Sequence, residues 1–106
     1  MTVDTSTGRR TEVLKALAQP ARWQIVERLA AEELCVCHLV EDLGIPQPLV
    51  SHHLRILRAA GVVESERFRQ WIYYRLVPEA IAAVADDLTA VVGATARGDD
   101  RRRPCR

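Results

Sequence analysis

Residues 48–61 read PLVSHHLRILRAAG, and the fold turns on what this segment is. Wound as an α-helix, it gathers Leu49, Val50, His53, Leu54, Ile56, Leu57 and Ala60 on one broad face and Pro48, Ser51, His52, Arg55 and Arg58 on the other. Pro48 is tolerated in a first helical turn, where its missing N–H would have no partner. Gly61 suits the left-handed position that ends a helix. An apolar face opposite hydroxyl, imidazole and guanidinium groups fits a helix laid in the major groove of DNA, with short polar groups on base edges and arginines on guanine or phosphate. A plain amphipathic surface helix carries the same pattern, so the flanks decide.

Upstream, His38–Leu43 has the length of a short helix closed by Gly44, and Ile45-Pro46-Gln47 is a tight link into the next. Downstream, residues 62–66 and 70–76 are rich in β-branched and aromatic residues and are split by a short polar link, a β-hairpin pattern. Two short helices joined by a turn and followed by a basic two-stranded wing form a winged helix-turn-helix. Around this unit, Thr11 is placed to cap a helix over Glu12–Ala18, Pro20 opens one over residues 21–31, and Pro78 opens a last one to about Ala94. The expected fold is therefore mainly α with one β-hairpin, in the order ααααββα. Residues 11–96 form a single DNA-binding and dimerisation domain between a flexible arm (1–10) and a charged, disordered tail (97–106).

A chain of 106 residues is one domain with a modest core, of the size that commonly completes its burial in a dimer. No apolar run reaches the roughly 20 residues a membrane helix needs, and MTVDTSTGRR has no signal-like apolar region. A cytoplasmic location with reduced thiols is the expectation. Net charge is only +1, but its distribution is uneven. Residues 48–77 carry Arg55, Arg58, Arg67, Arg69 and Arg75 against Glu64 and Glu66, whereas residues 78–96 carry Glu79, Asp86 and Asp87 and no basic group. The middle third is the part charged to face phosphates. At the hairpin tip, Arg67 and Arg69 flank Phe68, an arrangement that can straddle phosphates or enter a minor groove, unless Phe68 folds back on the wing. Trp71, Tyr73 and Tyr74 read as wing packing. Of the two adjacent histidines, His53 lies within the apolar face and reads as a structural core group; His52 points outward and reads as a DNA contact.

ELCVC at 33–37 is the second informative stretch. Three cysteines are an odd number, and Cys35 and Cys37 look too close in sequence to bridge without strain, so thiolates that ligate a soft ion are the better reading. Small semi-buried cysteines filling a contact are the bland alternative. In a continuous helix the two sulfurs would lie about 200° apart, whereas extended residues i and i+2 project together. An ion held by both would thus favour an unwound helix entrance. Enzyme chemistry has no support: there is no glycine-rich phosphate loop, no H-E-x-x-H and no third partner beside Cys35, Cys37 and His38.

LKALAQPARWQIVERL (14–29), ELCVCHLVEDLGIPQPLVSHHLRILRAAGVVESE (33–66) and QWIYYRLVPE (70–79) together resemble the ArsR/SmtB family of metal-responsive repressors, over roughly residues 11–90. The resemblance implies a homodimer that binds double-stranded operator DNA when ligand-free and releases it on binding a toxic metal ion. Dimerisation in the family falls mainly to the first and last helices, which here offer Val13, Leu14, Leu17, Ile81, Val84, Leu88 and Val91. DNA contact would fall to Gln47, Pro48, Ser51, His52, Arg55, Arg58, Arg67 and Arg69. The E-L-C-V-C segment resembles the branch that senses As(III) and Sb(III), whose fuller motif is C-V-C-D-L-C. Here His38 and Val40 stand at the aspartate and third-cysteine positions, and Arg69 stands where the wing turn of relatives often has glycine. Two thiolates therefore remain for an ion that prefers three, with Cys105, His38, a small thiol or water as the candidate third donor. The last helix has Asp86 and Asp87 but no histidine, which argues against a zinc or nickel site there; no cysteine precedes Cys35, which argues against a cadmium or lead site using an N-terminal arm. Control by a partner protein, by another metal or by thiol oxidation is the alternative expectation.

Overall fold

The structure, a computed structural model, describes residues 5–95. Helices α1 (Thr5–Leu17) and α2 (Pro20–Ala31) lead to a two-residue strand β1 (Leu34–Cys35), helices α3 (Val36–Leu43) and α4 (Gln47–Ala59), strands β2 (Val63–Phe68) and β3 (Trp71–Leu76), and helix α5 (Pro78–Gly93). This is the expected winged helix-turn-helix with one addition. Strand β1 pairs antiparallel with β3, Leu34 opposite Tyr74 and Cys35 opposite Tyr73, making a three-stranded sheet in the order β1-β3-β2.

The helix ends follow local chemistry. Pro20 sits in the first turn of α2, and the Gln19 side chain caps that turn by accepting the Arg22 N–H at 3.1 Å. Gly44, at φ 66°, ends α3 in the left-handed region, and Gly61, at φ 80°, turns the chain from α4 into the wing. The Pro46 carbonyl accepts the N–H groups of Leu49 and Val50, so α4 starts at Gln47 with proline on both sides.

Two boundaries differ from expectation. Helix α1 begins at Thr5 rather than at Glu12; Thr11 is inside the helix, its hydroxyl donating to the Gly8 carbonyl at 2.9 Å, and Arg10 pairs with Asp87 of α5 at 3.1 Å. Helix α3 begins at Val36 rather than His38, because Cys35 is itself the extended residue at its entrance. Residues 1–4, and the expected tail with its tentative ligand Cys105, lie outside the described residues.

One core holds these elements together. Val13 and Ala16 of α1, Ile25, Val26 and Leu29 of α2, Leu39 of α3, Val50, Leu54 and Leu57 of α4, Val62 and Val63 at the wing root and Val84 of α5 are buried against one another. Leu49 is the exception on the α4 face: it is exposed, not packed. Among the described residues, no helix is long and apolar enough to cross a membrane.

Candidate functional site

The outer face of α4 is presented as the helical wheel of the sequence requires. Gln47, Pro48, His52, Arg55 and Arg58 are exposed and Ser51 half-buried, while Val50, His53, Leu54 and Leu57 seat the helix in the core. His53 has the structural place expected of it: Nδ1 lies 3.3 Å from the Arg22 guanidinium, and the ring is buried. Burial first, then the positive charge of Arg22 and then His52, hold its pKa below the ordinary 6.5. The buried ring is thus biased toward its neutral form.

On the wing, Arg67 and Arg69 project from the tip, and the Arg69 guanidinium lies 5.4 Å from the centre of the exposed Phe68 ring. Phe68 therefore does not fold back on the sheet. Arg69 occupies the first loop position at φ 59°, a conformation open to glycine and costly for a side chain. Arg75 is a different case. Its guanidinium donates to Glu64 and Glu66, both at 2.7 Å, and lies 3.9 Å from Glu33. The basic excess of the middle third is therefore borne by Arg55, Arg58, Arg67 and Arg69 alone.

The thiol site overturns one expectation. Cys35 and Cys37 are joined by a disulfide across a Cα–Cα distance of 5.4 Å, so the short sequence separation does not keep them apart. With the sulfurs bridged, α3 is regular from Val36 onward. Cys35 has extended backbone (φ −87°, ψ 167°) as the last residue of β1, Cys37 lies in the first turn of α3, and this bend at the strand–helix junction turns both sulfurs to one side. Three donor atoms converge: Cys35 Sγ, Cys37 Sγ and an imidazole nitrogen of His38 lie within 4.8 Å of one another, Cys35 buried and the other two exposed. His38 Nδ1 stands 3.3 Å from Cys35 Sγ and 3.4 Å from the Cys35 backbone N–H, which reaches it as donor. Among the described residues this is the one group of three such donors. A soft-ligand trio of this kind suits thiophilic ions, with the proviso that the sulfurs are first reduced.

The sequence reading missed the neighbours of that trio. Cys35, Val36 and Cys37 share a cavity of about 300 Å³ with Gln47 at the start of α4 and with Gln70, Trp71 and Ile72 of the wing. Trp71 and Ile72 are exposed rather than packed into the wing. Only the pairing of β1 with β3 brings them there, and a two-residue strand leaves no periodic signal in sequence.

Among the expected dimerisation residues, Val13 and Val84 are buried within the chain, Leu17 and Ile81 pack on the core, and Leu14, Leu88 and Val91 are exposed, with Val92 beside them. Helices α1 and α5 lie against each other, joined by the Arg10–Asp87 pair.

Two short helices joined by a turn and followed by a basic two-stranded wing define a winged helix-turn-helix DNA-binding regulator. The chain belongs to the ArsR family of bacterial regulatory proteins, whose model matches residues 19–65. It is 48% identical over 82 residues to the HTH-type transcriptional repressor SmtB of Mycobacterium tuberculosis, covering 77% of this chain and 61% of that protein. It is 45% identical over 83 residues to the arsenic resistance transcriptional regulator ArsR1 of Pseudomonas putida, covering 77% and 65%. The chain thus spans less than two thirds of the length of these relatives. Among solved structures, an ArsR-like transcriptional regulator from Rhodococcus sp. RHA1 superposes with a TM-score of 0.78 over 85% of both chains at 24% identity, a likeness of fold.

Proposed function

We propose that this protein is a cytoplasmic transcriptional repressor that holds its operator as a homodimer and releases it when a thiophilic metal(loid), As(III) or Sb(III), bonds Cys35 and Cys37. The observation that carries the reading is the convergence of Cys35, Cys37 and His38 within 4.8 Å at the entrance of the first helix of the helix-turn-helix. Thiolate sulfur selects soft ions, so Cd(II) is a weaker candidate of the same class and hard cations are not candidates. Gln47, Pro48, Ser51, His52, Arg55 and Arg58 would meet the major groove, and Arg67 and Arg69 the adjoining phosphates.

The link from thiol to DNA does not require α3 to unwind. Cys35 belongs to the sheet that carries the wing, whereas Cys37 belongs to the helix packed on α4. A ligand bonded to both sulfurs fixes the wing sheet relative to the recognition helix, and so favours one of the two relative placements over the other. A near-complete switch asks for roughly a 10⁴-fold preference of the ligand between the two states. Bonds from two thiolates are strong enough to supply it.

The bridged pair favours a second reading, control by oxidation. Two thiols would pass two electrons to a peroxide or disulfide oxidant, lose two protons and close the Cys35–Cys37 bond, with the same fixing of wing against helix. One experiment separates the two. Operator DNA bound by the reduced protein is titrated with arsenite, antimonite, Cd(II), Zn(II) and Ni(II), and separately with hydrogen peroxide. Release by As(III) and Sb(III) under reducing conditions, lost in Cys35→Ser and in Cys37→Ser, is the expected result. Release by peroxide alone, reversed by dithiothreitol, supports oxidation. An operator complex indifferent to all of these removes the thiols from control and leaves a regulator governed by a protein partner.

A further inference from the structure

The wing ends on a two-residue turn, Arg69-Gln70, which sets Phe68 directly opposite Trp71 in the β2–β3 register. Residues paired across an antiparallel ladder share a face, with Cβ atoms about 5 Å apart, so the tip carries an aromatic pair. Phe68 is 59% exposed and Trp71 45%. Neither belongs to the core or packs against it, so folding gives no account of two large rings held in water. The cations of the tip are arranged around Phe68. The Arg69 guanidinium lies 5.4 Å from the centre of the Phe68 ring, and Arg67 Nε donates to the Arg69 carbonyl at 3.2 Å, tying the turn. Arg69 holds its side chain at φ 59°, where glycine would relieve the backbone. Strain of that kind clusters at positions a protein uses. Glu66, two residues before Phe68 on the same face, is bonded to Arg75 at 2.7 Å, so the tip stays positive.

We propose that Phe68 is a minor-groove wedge: its ring enters one base step beside the half-site read by α4 and kinks the duplex there. This rests on the DNA-binding reading of α4 and the wing, and it adds a specificity that no hydrogen bond to a base supplies. A duplex offers stacked apolar bases between two charged rims, and an aromatic ring flanked by guanidinium groups is complementary to that. The hairpin has two strands about 4.8 Å apart, before side chains are added, and the minor groove is only about 6 Å wide. Side chains of the tip can enter it; the hairpin cannot. Arg67 and Arg69 then meet phosphates on the rims, and Phe68 between them faces the base edges, backed by Trp71 across the strands. Insertion unstacks one step, which is easiest at the flexible pyrimidine–purine steps, TA and CA/TG. Phe68 therefore selects such a step at a fixed distance from each half-site and disfavours a stiff A-tract at the same place.

The test uses the full, reduced chain and a library of random duplex DNA, from which wild type and Phe68→Ala each select their preferred sites. The best wild-type duplex is then labelled at both ends to read its bend by energy transfer. It also carries 2-aminopurine at the flanking step, a base that brightens when unstacked. Wild type is expected to enrich a pyrimidine–purine step at one spacing from each half-site, to bend the duplex by about 20° or more, and to brighten the probe. Phe68→Ala should select the same half-sites with no flanking preference, lose most of the bend and the brightening, and bind the wild-type duplex about tenfold more weakly. On a duplex with A-tract flanks the two proteins should differ little. Phe68→Leu, which keeps an apolar wedge, should retain the bend. Because Phe68 is exposed, the urea midpoint of Phe68→Ala should stay near wild type. Arg67→Ala should flatten the salt dependence and leave the flanking preference in place. A Phe68→Ala protein that selects the same flanks, or bends the duplex as wild type does, refutes the wedge while DNA binding stands. If wild type enriches no sequence at all, the DNA-binding reading itself fails.

Discussion

Arg22 of α2 lies 3.3 Å from Nδ1 of His53, the single polar side chain buried in the core among the described residues. The same guanidinium donates to the Ala16 carbonyl at 2.7 Å and the Lys15 carbonyl at 3.4 Å, closing the end of α1. One side chain thus ties the first helix, the second and the back of the recognition helix together.

A pH dependence follows. The folded pKa of His53 lies below its unfolded value near 6.5, so the unfolded chain takes up the proton more readily. The stability that the neutral ring contributes is complete above 6.5 and is lost as pH falls from 6.5 toward the lower folded value. Urea midpoints of wild type and His53→Gln between pH 8 and pH 5 should converge on acidification. Parallel curves would show that His53 does not titrate differently on folding. Arg22→Ala should cost about 1–3 kcal/mol, the range for leaving a buried polar partner unsatisfied.

The helix-turn-helix, the hairpin and the role of His53 were legible because each has a local signature: a 3.6-residue apolar repeat, Gly44 and Gly61 at helix ends, β-branched runs, a histidine inside an apolar stripe. The thiol site was legible only by residue type. Its geometry depends on Leu34–Cys35 pairing with Tyr73 and Tyr74, a contact some 40 residues away in sequence made by a strand too short to alternate. Placing both cysteines in one regular element led to the expectation of an unwound helix; the strand–helix junction between them removes that need. The sequence pattern makes Trp71 wing packing because nothing local distinguishes an exposed aromatic at a strand's first position from a packed one. Arg22 left no signal, since its partners come from α1 and α4.

The wing turn stores a removable strain. Arg69 is the one non-glycine residue with positive φ among those described, and left-handed backbone costs a side chain about 1–2 kcal/mol. Arg69→Gly should raise stability by about 1 kcal/mol or less, since glycine returns part of the gain as unfolded-state entropy. Operator affinity should fall in the same variant, because a charge at the tip is lost. Thermal melts and anisotropy titrations on one preparation check both signs; affinity that holds steady would take Arg69 out of the DNA interface.

The apolar stripe of α5 is the proposed assembly surface. Leu88 and Val91 are 52% and 69% exposed, so a charge at either should cost the single chain little. Leu88→Glu is expected to leave the circular dichroism and urea midpoint at low protein concentration near wild type, while shifting sedimentation from dimer to monomer and weakening operator binding by at least about tenfold. A variant that still sediments as a dimer would move the assembly surface elsewhere.

Arginine charge on the DNA face can be counted by salt. Each phosphate neutralised contributes a slope of about −0.9 to the dependence of log affinity on log salt. Arg55 and Arg58 are exposed on the outer side of α4, so Arg55→Ala and Arg58→Ala should each weaken binding and flatten the slope by close to one unit if they meet phosphate. If either instead grips a guanine, the loss should be about 1–3 kcal/mol at the cognate base pair and the slope should change less. Arg75 supplies the contrast. Its guanidinium is committed to Glu64 and Glu66 at 2.7 Å, exposed pairs of the kind that contribute little to stability. Arg75→Ala should therefore leave the salt slope unchanged, and the freed carboxylates should lower affinity modestly by repelling phosphate. Were Arg75→Ala to flatten the slope as Arg55→Ala does, the wing would approach DNA through its sheet face rather than its tip.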